Sequence, residues 1–327
     1  MVSPKTFLLV MPEYSDFPDL FMKNLKKSEF QASIISDKLP DFKYQGNERL
    51  LNFFKKTFLK DKIFKKKLVA QFKQKEFLKI ANKLPENYDY ILVIRPDQFP
   101  IPFIENLKKK TTKLIAYQWD GIEKFPEVKN YFSLFDSFFC FEEVKDIGNV
   151  KQITNFYFDF DNFHSLPTIQ KTTQPILYFV GLDWENRRKK IDDFVWFAVD
   201  NNILLNFYLQ EFDKNENKNS NINYIKNRIT FAENLEFVKK SDVLLDFVDP
   251  RQVGLSIRFF EAMYYKKKVI TDNKMVKTYD FYHPDNIFVI DDNYDQIEEF
   301  IKIPYQEISE DIVKSYSFST WIRNITM

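Results

Sequence analysis

Short, unbroken apolar runs recur along this chain with room for a helix between them. TFLLVM (Thr6 to Met11), YILVI (Tyr90 to Ile94) and ILYFV (Ile176 to Val180) are continuous rather than alternating, and VLLDF (Val243 to Phe247) is so apart from Asp246. A strand apolar on both faces belongs inside a sheet covered on both sides, which in practice means a parallel α/β sheet. Ala32 to Ser36, Leu114 to Tyr117 and Ser137 to Phe141 extend the first series of strands. Helices are expected from a cap at Ser15 or Asp16 to about Lys27, and over much of 49–83. A second series follows: strand Ile203 to Leu209, helix Ala232 to Lys240, strand Val243 to Phe247, helix Ile257 to Tyr265, and strands Lys268 to Asp272 and Asn286 to Ile290. Helices over Tyr294 to Ile301 and Glu310 to Ile325 close the chain. Between the series, 151–174 reads as a passage, with Pro167 and the polar run Gln170 to Gln174. Strand–helix alternation of this kind predicts α/β architecture, and 327 residues suit two domains, each with its own core. The expected divisions are 1–155, 156–305 and a C-terminal segment 306–327.

The stretch from Leu244 to Asn273 carries most of the functional signal. Gly254, lacking a Cβ, lets backbone come close to a ligand, and Ser256 offers an N-cap hydroxyl. A helix that opens just after a strand presents free N–H groups and a dipole to an anion. Arg258 adds a fork suited to phosphate or carboxylate, and Glu261 follows one turn later. An arginine for phosphate and a carboxylate for sugar hydroxyls, on one helix at a strand's end, suggest a nucleotide-sugar pocket.

The run GLSIRFFEAMYYKKKVITDN resembles the donor-site helix of GT-B glycosyltransferases. More narrowly, it resembles the CgeB-like and lipopolysaccharide or capsule biosynthesis glycosyltransferases of bacteria. YQWDGIEKFPE, FDSFFCFEEVKD, YFVGLDWENRRKKI and ITFAENLEFVKKSDVLLDF support the likeness, which covers most of Tyr88 to Asp291. It implies two Rossmann-like parallel-sheet domains facing across a cleft, with a C-terminal helix crossing back to the first. The first domain would bind the acceptor and the second the nucleotide-sugar donor, without metal or further cofactor. The resemblance turns Gly181, Arg187 and Arg188 toward the donor phosphates, and gives Glu261 the ribose hydroxyls. Arginines at a helix start run against the dipole preference for anions, so Arg187 and Arg188 are unusual as surface residues. Retaining GT-B enzymes carry two glutamates eight positions apart; Val253 stands eight before Glu261, so retaining chemistry does not carry over. An inverting enzyme needs a base for the acceptor hydroxyl. Asp120, after a strand and beside Gly121, is the first candidate, with Asp97 and Glu13 as rivals.

Composition narrows the partners. The net charge of +1 gives no global case for nucleic acid. The single cysteine, Cys140, excludes an intramolecular disulfide and fits a reducing cytoplasm, and its Phe138, Phe139 and Phe141 neighbours suit an inert core thiol. No signal peptide and no apolar run of about 20 residues is evident. A cytoplasmic protein, free or at the inner face of the membrane, is expected. Lysines crowd Lys55 to Lys83 against only Asp61 and Glu76, with Leu59, Ile63, Phe64, Leu68, Val69 and Phe72 beside them. That block reads either as a solvated helical face or as a basic amphipathic surface for anionic lipid headgroups.

Asp159 and Asp161 resemble a metal-binding D-x-D, although turn and cap roles suit them better. His164 and His283 are too few for a zinc site without carboxylate help and read as structural. GxGxxG, Walker A, CxxC and HExxH are absent, against a nicotinamide or P-loop enzyme. Other readings on the same scaffold are a nucleotide-sugar epimerase, a polyol-phosphate transferase, or a non-catalytic spore-coat or scaffolding protein.

Overall fold

The computed structural model describes residues 4–159, 174–183, 185–211, 218–249, 253–291 and 293–327, with the backbone alone at Glu185 and Asn186. The expectations for Asp161, His164, Pro167 and the loop from Asp213 through Asn217 lie outside the described residues. Two compact units emerge: one holds the chain through Tyr14 and Phe21–Gln152, the other Ser15–Leu20 and Ile153–Ile325.

The first unit contains β1 (Thr6–Met11), most of α1 (Phe17–Lys27), β2 (Gln31–Ser36), α2 (Glu48–Phe58), α3 (Phe64–Ala81) and β3 (Tyr88–Ile94). It continues with α4 (Ile101–Lys108), β4 (Thr111–Tyr117), β5 (Ser137–Cys140) and β6 (Val150–Gln152). The six strands form one parallel sheet in the order β2-β1-β3-β4-β5-β6. Phe7 to Met11 and Ile91 to Ile94 are fully buried, because helices cover both faces of the central strands. One face packs Leu8, Val10, Ile91, Val93 and Phe138 against Phe77 of α3 and Phe103 of α4.

Two details that the sequence reading left open have local causes. The largely helical stretch expected over 49–83 is built as two helices, because Lys60 takes a left-handed φ of 52°. The Asp61 carboxylate then accepts the N–H groups of Ile63 and Phe64 at 2.9 and 3.1 Å, starting α3 afresh. The prolines after β3 do end the strand, but Pro100 and Pro102 also open α4, where a missing N–H costs nothing.

The second unit contains β7 (Ile176–Leu182), α5 (Glu185–Asp200), β8 (Leu204–Gln210), β9 (Asn223–Ile225), α6 (Phe231–Lys240) and β10 (Val243–Asp246). It ends with α7 (Ile257–Tyr264), β11 (Lys268–Thr271), β12 (Ile287–Val289), α8 (Ile297–Lys302), α9 (Glu310–Ser315) and α10 (Phe318–Thr326). Its parallel sheet runs β12-β11-β10-β7-β8-β9. Leu177, Phe179, Phe194, Phe207, Leu245, Phe247 and Ile270 make its core.

Asp16, an expected cap for α1, caps α6 instead: it accepts the N–H groups of Phe231 and Ala232 at 2.6 and 3.0 Å. Burial opposes the charge on Asp16, yet those two N–H groups hold its carboxyl below the ordinary value. The single helix expected over Glu310 to Ile325 breaks at Ser317, whose extended backbone and hydroxyl cap α10. Phe318 and Trp321 of α10 then pack on Phe156. The basic turn after α7 is largely internal. Lys267 donates to the Lys239 carbonyl at 2.7 Å and Lys268 to the Phe300 carbonyl, and burial pulls both ammonium groups down to about 8.

Candidate functional site

In the second unit, β7 and β10 lie side by side while the chain leaves them in opposite directions, β7 toward β8 and β10 toward β11. Such a switch point leaves an opening at the strands' carboxyl ends, where open α/β sheets hold their ligands. Gly181 from β7, Arg187 from the first turn of α5, Asp246 from the end of β10, and Ser256 and Arg258 from the start of α7 all meet there.

Arg258 donates from Nη1 to Asp246 Oδ1 at 2.6 Å and from Nη2 to the Val180 carbonyl at 2.8 Å. Ser256 stands at the N-cap position of α7, but its hydroxyl does not cap the helix. It donates to the same Asp246 oxygen at 2.7 Å, which corrects the sequence expectation: the rotamer that aims the O–H at this charged acceptor leaves the hydroxyl oxygen without an N–H of α7. Gly254 has a φ of 86°, a conformation costly for a residue with a Cβ. The approach to α7 is pinned by Asn273 Nδ2 on the Gly254 carbonyl at 3.1 Å and by Asn155 Nδ2 on the Leu255 carbonyl at 2.8 Å.

Arg187 turns back beneath this loop and donates to the carbonyls of Leu182 at 3.0 Å and Phe247 at 3.4 Å, while its buried Nε has no partner among the described residues. Burial, and then the neighbouring Arg258 guanidinium, pull Arg187 below its ordinary value, against the opposing pull of Asp246, Asp249 and Asp272. Gly181 makes room for it: a Cβ there would lie 2.9 Å from the Phe179 ring and 3.2 Å from Arg187 Nη2. Arg188, also expected at the phosphates, instead grips Asp183 with two bonds of 2.8 and 2.9 Å. The guanidinium groups of Arg187, at the start of α5, and Arg258, at the start of α7, thus lie near enough for Arg258 to oppose the charge on Arg187.

Glu261 is neither at the surface nor paired with a lysine. It is 2% exposed, and burial pushes its carboxyl up to about 8 despite the nearby Arg258. Asn234 Nδ2 approaches Oε2 at 3.5 Å, Tyr178 donates to Asn234 at 3.0 Å, and Oε1 is buried without a partner. An unsatisfied buried acceptor of this kind costs free energy until a donor reaches it. The sequence reading missed Asp246, Asn234, Asn155 and Asn273. Asp246 alone had a visible signal, as the one acid in an otherwise apolar strand.

The first unit gathers a separate polar cluster at the carboxyl ends of β3 and β4. Arg95 sits there in the left-handed region at φ 54°, a strain of the sort found at working sites. It is held by Asp97 at 2.8 and 2.9 Å, by Asp120, and by the Phe125 ring 4.0 Å beneath its guanidinium. Lys124 meets the other Asp120 oxygen at 3.0 Å. The expected base therefore has both oxygens on cations, and its rival Asp97 shares one of them; Glu13 is exposed after β1. Beside them, Gln118 is completely buried with neither side-chain polar atom partnered among the described residues. Asp159, half of the D-x-D, binds the N–H and hydroxyl of Ser319, and His283 Nδ1 accepts from the Asp285 N–H at 3.2 Å. Both contacts stay within the second unit.

No protein-family model and no curated protein matches the chain. Solved structures do. The apo lipopolysaccharide outer core galactosyltransferase WaaB superposes with a TM-score of 0.56 at 10% identity, covering 98% of this chain and 97% of that one. An alpha-glucosyltransferase in complex with UDP-glucose and DNA containing an abasic site gives 0.56 at 11% identity, over 98% and 93%. The catalytic domain of Starch Synthase IV from Arabidopsis thaliana, bound to ADP and acarbose, gives 0.55 at 9% identity, over 99% of both chains. The fold is GT-B.

Proposed function

We propose that this GT-B chain is a glycosyltransferase that takes its sugar from a nucleotide-sugar donor. The observation that carries the reading is the approach of Arg187 to Arg258 at the β7–β10 switch point, where Arg258 is held on Asp246 beside the start of α7. In this reading the donor diphosphate lies against the N–H groups that follow Gly254, and the two guanidinium groups meet the charge that develops as the sugar leaves. The bond from the sugar's anomeric carbon to the phosphate oxygen breaks with its electron pair on the phosphate. The acceptor oxygen bonds to that carbon, and its proton passes to a base. The arginines make a divalent ion unnecessary for the leaving group. Gly181 serves by giving Arg187 its place, and Glu261 receives ribose hydroxyls on its unpartnered oxygen. Arg188, fixed on Asp183, acts from outside the contact.

Asp120 is the proposed base, provided that one of its bonds to Arg95 and Lys124 yields when the acceptor arrives. The acceptor is proposed to be a cell-surface polysaccharide or a lipid-linked glycan, such as a lipopolysaccharide or capsule precursor. The double pairing of Asp120 also favours a second reading, a binding protein that holds a nucleotide sugar without turnover.

A thermal-shift titration with UDP, GDP, CMP and ADP tests the donor site. A ligand of the folded state at a hundredfold excess over Kd adds about 2.7 kcal/mol of stability. One nucleotide should shift wild type, and Arg187→Gln should lose that shift while keeping its far-UV circular dichroism. The matching nucleotide sugars are then assayed for nucleoside diphosphate release; binding without release supports the second reading, and no shift with any nucleotide overturns both.

A further inference from the structure

A helix on the surface of a water-soluble domain ordinarily turns its apolar side inward; α2 does the reverse. Leu50, Leu51, Phe54 and Phe58 recur at helical spacing with Phe53 beside them, and they form one broad stripe. They are 71%, 48%, 51%, 66% and 64% exposed in that order. The opposite side holds Glu48, Asn52 and Lys55, all half-buried. Asn52 donates to the Tyr44 hydroxyl at 3.1 Å, and the Lys55 ammonium lies 4.1 Å from the centre of the Phe64 ring. No residue of α2 is buried.

The stripe continues past the helix into Leu59 and Ile63, 63% and 58% exposed. Lysines rim it: Lys56, Lys60, Lys62, Lys65, Lys66 and Lys67 are all exposed. Against them the α2–α3 turn offers Asp61, which is committed to the N–H groups that begin α3.

We infer that α2 and the turn to α3 dock on an anionic lipid bilayer, with Phe53, Phe54, Phe58 and Leu59 entering the headgroup–acyl boundary and the lysines resting on the headgroups. Charge decides in favour of this occupant. A second copy of the chain would bring a like-charged rim against this one, whereas an anionic bilayer supplies both an apolar layer and the opposite charge. At about 1.5 Å per residue, α2 is about 16 Å long, a length suited to lying in the interface. None of the described helices is long and apolar enough to cross a membrane. The inference does not rest on the donor site, which is built in the other unit. It adds to the proposed function a plane on which lipid-linked acceptors are found.

The test is sedimentation with vesicles of phosphatidylcholine alone and of phosphatidylcholine with 30% phosphatidylglycerol (roughly the anionic share that gives a polybasic surface its attraction). Wild type should pellet with the anionic vesicles and remain largely in the supernatant with the neutral ones. Each of Lys62→Gln and Lys66→Gln should weaken binding about fivefold, with the loss shrinking as salt rises. Phe54→Trp should shift its emission to the blue on binding and be quenched by lipids brominated near the headgroup. Phe53→Ser/Phe58→Ser, exposed positions whose change leaves the thermal melt in place, should stay in solution. Wild type that fails to pellet, or that pellets equally with both vesicles, overturns the inference. So does a concentration-dependent dimer in analytical ultracentrifugation that the double variant abolishes, since it would assign the stripe to a second copy. Nucleotide binding measured on the same samples separates failure here from failure of the donor reading.

Discussion

Arg258 and Asp246 are locked to each other at 2.6 Å across the strand–helix junction of the second unit, and the Ser256 hydroxyl closes on the same carboxylate oxygen. The side chains are only 17% and 8% exposed. Removing one partner of so enclosed a pair strands the other charge. Asp246→Ala should therefore cost about 3 to 5 kcal/mol in urea unfolding. The double variant Asp246→Ala/Arg258→Met should cost clearly less than the two single losses added together. Strict additivity would show that the pair holds nothing in place.

Glu261 makes stability depend on pH in the direction opposite to that of most carboxylates. Its folded value is raised from 4.5 to about 8. Below 4.5 the group is protonated folded or unfolded; between the two values the folded state holds a proton that the unfolded state has released. Its contribution to stability is thus complete below 4.5 and is lost as pH rises toward 8, at up to about 1.4 kcal/mol per pH unit. Glu261→Gln keeps the shape without the charge, so it should be the more stable protein at pH 8 and should flatten the profile over this window. Equal slopes for both proteins, from denaturant midpoints across pH 5 to 8, would refute the account.

Gly181→Ala should disturb two things together. The added methyl meets the buried Phe179 ring and the Arg187 guanidinium, so overpacking of about 1 to 3 kcal/mol is expected. Anion binding at the switch point should weaken with it, read as a reduced thermal shift by the nucleotide that stabilises wild type. A stable variant with an undiminished shift would mean that Arg187 takes no part.

Cys140 should be silent in the folded protein. Burial, then the neighbouring Glu142 charge, push its thiol up to about 12 from 9.0, leaving about a thousandfold less thiolate than an ordinary cysteine. Iodoacetamide at pH 8 should label the chain only after denaturant unfolds it. Prompt labelling of the native protein would contradict the buried placement.

The sheets are legible in the sequence. Runs such as Phe7 to Met11 and Ile91 to Ile94 are apolar at successive positions, and burial on both faces of a parallel sheet is the economical way to satisfy them. β6 and β9 were not legible, because three-residue edge strands carry too little apolar side chain to leave a pattern. The breaks at Lys60 and Ser317 were hidden for a different reason: periodicity ran through both, and a single capping side chain, Asp61 in one case and Ser317 in the other, restarts the helix.

For the candidate site, the sequence by itself determined the loop that must carry Gly254, the helix that follows it and the presence of arginines near strand ends. These depend on neighbours along the chain. Only the tertiary structure decided what each side chain meets. Asp246, twelve residues before Arg258, captured both that arginine and the Ser256 hydroxyl expected to cap α7. Asp183 took Arg188 while Arg187 turned inward over Gly181. On α2 the sequence supplied a polar and an apolar side, but which side faces the protein is set by what packs beneath it. There the half-buried polar side, with Asn52 on Tyr44 and Lys55 over Phe64, left five large apolar side chains in water.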